Sequence, residues 1–209
     1  MWKHTFVTIL GSLLIFPASS KAAGAGSLEV GPNSVLIYKS YSGPVEREWI
    51  LRLARFGPDV VLEWESFANQ GTLHLFRNSV LNGTSFSLFG LFEPGVEKES
   101  KKVMTIWFSR KTYGELVSKG RTRIKVNRFP RKLELLEEDR FRLSVNRRPH
   151  EVAVIRAEDD RGAEWVLLKD PDNPVLLEYT ERKYRLALVS FQTRSQVSLR
   201  WLRRLPPVK

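Results

Sequence analysis

The chain has 209 residues and no cysteine, and its 34 Lys and Arg against 23 Asp and Glu give a formal charge of +11 and a pI near 10.1. Without cysteine there is no disulfide, no thiolate metal site and no residue to carry a lipoprotein acyl group, and with three histidines zinc chemistry of the usual ligand type has little to build on. Neither pattern of Gly-rich phosphate loop nor a Gly-x-Ser-x-Gly nucleophile elbow occurs, so nucleotide-binding folds and serine hydrolases of that type have no support.

The chain begins with a short basic stretch, Met1-Trp2-Lys3-His4, followed by an apolar run from Thr5 to Phe16 and then Pro17 with small residues. That run is shorter than the roughly 20 residues a helix needs to span a bilayer, and its flanks fit a secretory signal peptide. We expect residues 1–25 to be removed. Ala23-Gly24-Ala25 fits the A-x-A cleavage pattern best and Ala18-Ser19-Ser20 is a second candidate. Residues 26–209 are then expected to form a single exported β-rich domain, periplasmic or secreted, with no later segment of transmembrane length. The signal segment carries only Lys3 and Lys21 as cationic Lys or Arg, so the mature part stays basic. Its anionic partners outside the cytoplasm would be lipid headgroups or acidic envelope polymers, and nucleic acid is not expected.

From there on, turn signals alternate with short stretches of period-two apolar patterning, the signature of an antiparallel β-barrel or sandwich. Val60-Leu62-Trp64 alternates with Val61-Glu63-Glu65, and Thr122-Ile124-Val126 with Arg121-Arg123-Lys125. Phe141-Leu143-Val145, Leu186-Leu188 and Val197-Leu199-Trp201 repeat the pattern. Gly57-Pro58-Asp59, Glu93-Pro94-Gly95, Asn146 to Pro149, Asp159 to Gly162 and Asp170 to Pro174 supply turn chemistry. The expectation is a mainly β fold of about ten to twelve strands. Asn82-Gly83-Thr84 reads as a turn, Glu97 to Lys102 as a charged loop, and no internal repeat is evident.

One short helix is expected near 110–118. Ser109 can cap it, Tyr113, Leu116 and Val117 fall on one face, and Gly120 can end it. The stretch from Val45 to Phe56 fits a helix or a strand. Pro58 and the Val60 run favour a hairpin in which Trp49 to Phe56 turns at Gly57-Pro58-Asp59.

Candidate chemistry is sparse. His74 alternates with Leu73 and Leu75 and reads as a solvated strand histidine, while His150 follows Pro149 in a turn and reads as exposed. Glu63 and Glu65, two apart on a strand and so roughly 7 Å apart on one face, have a separation that some glycosidase pairs use. Adjacent acids on a polar face are ordinary, particularly opposite so many arginines, and that is the favoured reading. Asp170-Pro171-Asp172-Asn173 lacks the remaining ligands of a calcium loop. No catalytic residue, metal site or cofactor is assigned on these grounds. Glu63, Glu65 and His74 are the cluster a hydrolase reading would rest on.

The aromatics Trp49, Trp64, Phe86, Phe89, Phe92, Trp107, Phe108 and Trp165 either fill the core or line a cavity for an apolar ligand. On the second reading Trp64, Trp107 and Trp165 are the candidate ligand-binding residues. Arg200, Arg203 and Arg204, in the densest basic cluster, are candidates for phosphate or carboxylate groups.

The stretch Thr105-Ile106-Trp107-Phe108-Ser109-Arg110-Lys111-Thr112-Tyr113-Gly114-Glu115-Leu116 and the stretch from Gly162 to Leu177 resemble uncharacterised exported bacterial proteins of acidobacterial type. The second also resembles the closing hairpin of lipocalin-like envelope domains of unknown function. The resemblance covers about a third of the chain, its motifs are structural, and it implies an envelope location and a barrel-like β fold. Together these readings lead to the expectation of a non-enzymatic envelope protein that binds an apolar or anionic ligand, such as a lipid or an anionic envelope polymer. The alternative is an assembly protein that docks onto another envelope protein.

Overall fold

The computed structural model describes residues 26–193, except 68 and 89. The expected signal segment, Phe89, the expected Val197-Leu199-Trp201 strand and the arginines at 200, 203 and 204 lie outside the described residues.

The first half of the fold is built from strands β1 (Val35–Ser42), β2 (Val45–Arg55), β3 (Val60–Ser66) and β4 (Asn69–Leu75), then helix α1 (Arg77–Asn82), strands β5 (Ser85–Phe86), β6 (Glu97–Ser100) and β7 (Val103–Met104), and helix α2 (Arg110–Lys119). The second half contains β8 (Arg121–Val126), β9 (Phe129–Val145), β10 (Arg148–Asp159), β11 (Glu164–Leu168), β12 (Leu176–Glu181) and β13 (Tyr184–Gln192). All thirteen described strands join one sheet in the order β6-β4-β3-β2-β1-β13-β12-β11-β10-β9-β8-β5-β7, with a further β13 to β9 contact.

The fold is mainly β, as the alternation predicts, with two corrections to the expected barrel or sandwich. The sheet is mixed, because β4 and β6, β5 and β7, β5 and β8, and β13 and β9 pair in parallel. It is also not a clear barrel: the ladder between β13 and β9 is limited to Ser190 with Ser144 and Phe191 with Val145. A period-two pattern states which face of a strand is buried and is silent on strand direction, so the mixed pairing had no local signal.

The expected hairpin is present: β2 and β3 pair antiparallel around the Gly57-Pro58-Asp59 turn, with Leu51 opposite Trp64 and Leu53 opposite Leu62. The Glu97 to Lys102 loop is corrected in part, since Glu97–Ser100 forms β6 at the sheet edge. Charged side chains on an edge strand discourage further pairing, which is why such a strand reads as loop.

Helix α2 begins and ends where its caps predict. The Ser109 hydroxyl accepts the Thr112 N–H at 3.1 Å, and Gly120 closes the helix at φ 67°. Tyr113 and Leu116 are buried as expected, whereas Val117 is 42% exposed. Helix α1 was not foreseen, because its cap residue is Phe76, which offers no side-chain acceptor. The acceptor comes from outside: Asp59, in the β2 to β3 turn, takes the Arg77 N–H at 2.5 Å.

Two hairpins share one device. Val126-Asn127-Arg128-Phe129-Pro130 links β8 to β9, and Val145-Asn146-Arg147-Arg148-Pro149 links β9 to β10. In both, the two loop residues hold positive φ, 49° and 75° in the first and 50° and 67° in the second, as a two-residue turn matched to strand twist requires. The proline stands one pair beyond the turn, opposite Lys125 or Ser144. In a two-residue hairpin that pair exchanges no ladder hydrogen bonds, so the missing N–H costs nothing.

Candidate functional site

A concavity with a mixed apolar and cationic lining lies where the β2 to β3 turn, α1 and the start of α2 meet. It has a volume of about 360 Å³ and is lined by Phe56, Val60, Val80, Leu81 and Trp107, with Arg77, Arg110 and Asp172 also contributing. Trp107 is only 2% exposed and its ring packs 5.9 Å from that of Phe56.

Local bonding fixes these walls. The Ser109 and Thr112 hydroxyls donate to the Gly83 carbonyl at 2.7 and 2.8 Å, tying the end of α1 to the start of α2. Gly83 is required there, since a Cβ would meet the Ser79 carbonyl oxygen at 2.6 Å and Met104 Cγ at 2.7 Å. Trp107 is held by a bridge to Val175, flanked by Phe108 N–H to the Pro174 carbonyl at 3.0 Å and Leu176 N–H to the Ile106 carbonyl at 2.8 Å. The Asp170 carboxylate accepts the Asp172 and Asn173 N–H groups at 2.9 and 3.1 Å. It is therefore a turn-former, and Asp172 at the tip of that turn meets Arg110 at 3.3 Å. Arg77 is exposed and its guanidinium makes no ion pair among the described residues.

The other two candidate tryptophans are packed inside the molecule. Trp165 is fully buried, with ring centroids of Tyr179, Phe86 and Phe108 at 4.5, 5.2 and 5.5 Å. Trp64 is 2% exposed and stacks edge-on against Phe92 at 5.6 Å and tilted on Trp49 at 6.0 Å. Gly71, directly opposite Trp64, leaves room for its indole, since a Cβ there would lie 2.8 Å from Trp64 Nε1.

The hydrolase cluster is brought together in part. Glu63 and His74 share a hollow of about 230 Å³ with Thr72 and Glu97. Both side chains are engaged there: Glu63 pairs with Arg52, and His74 Nε2 lies 2.7 Å from Glu97 Oε1. Glu65, opposite Ile50 and Gln70, does not join them. Among the described residues no group of three or more His, Cys, Asp or Glu side chains is placed to hold a metal ion. His150, expected to be exposed, is half-buried against Gly26, where a Cβ would meet its Nε2 at 2.1 Å.

A buried ionic network went unseen in the sequence. Arg131, 6% exposed, donates to Asp159 and, at 2.8 Å, to Glu181, which also accepts the Tyr179 hydroxyl at 2.7 Å. Asp159 further accepts the Arg161 and Ala163 N–H groups at 2.9 and 3.1 Å and the Trp165 indole N–H at 3.4 Å. The hydrogen bond from Arg131, then that from Tyr179, holds the Glu181 carboxyl below its ordinary range. Burial opposes the Arg131 charge, but its contacts with Glu181 and Asp159 prevail and raise its pKa. Burial first, and then the bond to Glu181, pushes the Tyr179 phenol well up. Through the two Nη groups of Arg131 the network ties strands β9, β10 and β12 together, while the buried Arg131 Nε has no hydrogen-bond partner among the described residues. The signal was an arginine standing in phase with Leu133 on the inward face of β9.

Comparison of the chain with protein-family models, with curated proteins and with solved structures returned no match.

Proposed function

We propose that this chain is a non-enzymatic exported protein of the bacterial envelope that binds a small amphipathic anion in the hollow floored by Trp107. The observation that carries the reading is the pairing of an apolar lining, Phe56, Val60, Val80 and Trp107, with Arg77 and Arg110 in the same lining. A hydrocarbon or aromatic body suits the apolar wall, and a carboxylate or phosphate suits guanidinium donors. The Arg77 guanidinium makes no ion pair among the described residues, although the Asp59 carboxylate accepts the Arg77 backbone N–H, and Arg110 meets the exposed Asp172. Export rests on the N-terminal pattern of a basic start, an apolar run and small residues. No described helix is long and apolar enough to cross a membrane.

The test is native mass spectrometry of the mature protein purified from its own envelope. Retained mass that is lost in Arg77→Ala and reduced in Trp107→Phe is the expected result. Retained mass unaffected by either substitution, or none with a panel of fatty acids and aromatic carboxylates, would sink the reading.

The assembly reading also has one favourable observation. Residues 137 to 143 of β9 pair only with β10 among the described residues, because β8 ends its pairing at Glu134 and β13 begins at Ser144. A strand edge with no register partner among the described residues is a place where another chain can add a strand. Crosslinks from this edge to another envelope protein would support that role.

A further inference from the structure

The solvent face of β8 carries Arg121, Arg123 and Lys125, while Thr122, Ile124 and Val126 turn inward and are buried. Alternate residues of a strand stand about 7 Å apart, so the three cations form a straight row about 14 Å long. The neighbouring strand neutralises it in part only at Arg121, whose charge helps, after that of Lys132, to hold the opposite Glu134 carboxyl low. Arg123 is registered opposite Lys132 and Lys125 opposite Pro130, and like charges directly across a ladder destabilise it. The acid opposite Arg121, Glu134, is paired with Lys132. Arg121, Arg123 and Lys125 make no ion pair among the described residues.

Part of the row, Arg121 and Arg123 but not Lys125, also borders a hollow. Lys119 in the last turn of α2 and Lys132 border it too, and its volume is about 530 Å³. Its one further acid, Glu115, accepts the Thr122 hydroxyl at 3.0 Å. A flat bilayer surface cannot follow a hollow, whereas a flexible chain of repeated anionic groups can lie in it and meet each cation in turn.

We propose that this face binds a linear polyanion of the polyphosphate type, whose negative groups repeat along one chain. The site is separate from the Trp107 hollow: Arg110 and Lys119 stand at opposite ends of the ten-residue α2, about 13 Å apart along the axis. The two proposals therefore succeed or fail independently.

The experiment is a calorimetric titration of the mature chain with inorganic polyphosphate over a series of salt concentrations. Arg121→Glu with Arg123→Glu is expected to weaken binding at least about tenfold, and added salt to weaken it progressively. Arg147→Glu with Arg148→Glu, an equal charge change on an exposed turn elsewhere, is expected to change it by less than about threefold. Arg121→Gln with Arg123→Gln, checked for unchanged melting, repeats the test without charge reversal and is expected to weaken binding in the same direction. Equal losses in the two charge-reversal pairs would reduce the effect to net charge and overturn the proposal. So would competition by orthophosphate at equal total phosphate. Tighter binding to phosphatidylglycerol vesicles than to polyphosphate, lost in the same β8 variants, would reassign the face to a membrane surface.

Discussion

Arg131 Nη1 reaches both carboxylate oxygens of Asp159, at 3.2 and 3.3 Å, with the arginine side chain 6% exposed and the aspartate side chain fully buried. This pair stands at the β9 to β10 ladder and fixes the Asp159 to Gly162 turn, because the same carboxylate accepts the N–H groups of Arg161 and Ala163. Arg131→Met should remove the charge that Asp159 faces and cost about 3 to 5 kcal/mol, the usual penalty for breaking a buried pair on one side. Adding Asp159→Asn should recover part of the loss. Urea unfolding of the single and double variants measures both, and a single variant within about 1 kcal/mol of the parent would mean that the network relaxes instead of holding the strands.

The same network sets an acid limit. Because Arg131 and then Tyr179 hold the Glu181 carboxyl low in the folded chain, the unfolded chain takes up this proton first as pH falls. The stability it contributes is fully present above the unfolded carboxyl value of about 4.3 and is lost as pH drops through the lower folded value. Unfolding free energy measured from pH 6 to about pH 3 should decline below that point, and Glu181→Gln should flatten the decline. Parallel curves would place the acid sensitivity elsewhere.

Arg147 occupies the second position of the β9 to β10 turn at φ 67°, a conformation that costs a residue with a Cβ about 1 kcal/mol and glycine almost nothing. Arg147→Gly should therefore stabilise the protein by up to about 1 kcal/mol. The measurement is thermal unfolding beside Arg148→Gly, where the backbone is strand and the change should be neutral or destabilising.

Asp172 competes with any anion for Arg110, at 3.3 Å across an exposed ion pair. Such a pair is worth no more than about 1 kcal/mol. Asp172→Asn should tighten an anionic ligand in the Trp107 hollow by up to about fivefold, read by quenching of indole fluorescence. Weaker binding would mean that Asp172 orients Arg110 for the ligand instead of blocking it.

How much of this was legible follows from what each signal encodes. Thr122, Ile124 and Val126 announced β8 and its buried face, and Ser109 with Gly120 announced both ends of α2, since alternation and caps are local chemistry. The partner of each strand depends on residues far along the chain, so the parallel contacts and the short β5 and β7 had no local trace. Helix α1 was hidden because its capping acceptor, Asp59, lies 18 residues before the N–H it satisfies. The site was legible in one residue: Trp107 was singled out, but Arg77 and Arg110 join it only through the packing of α1 against α2. Arg131 could have been found as a charge in an apolar phase. Its acceptors Asp159 and Glu181 could not, being 28 and 50 residues away.

The place of β13 sets an order on assembly during synthesis. The last described strand stands in the middle of the sheet, with β1 along its whole length on one side and β12 on the other. Synthesis delivers β1 first and β13 last of the described strands, so about 140 residues emerge while the β1 edge is still open. Such a chain gathers its contacts at long sequence separation and folds slowly, with unpaired edges on offer meanwhile. A chain stopped before Tyr184 should stay cleavable by protease across β1 to β4, and a separately supplied segment spanning β13 should restore its resistance. The protein's exposure to aggregation is thus greatest just before β13 arrives.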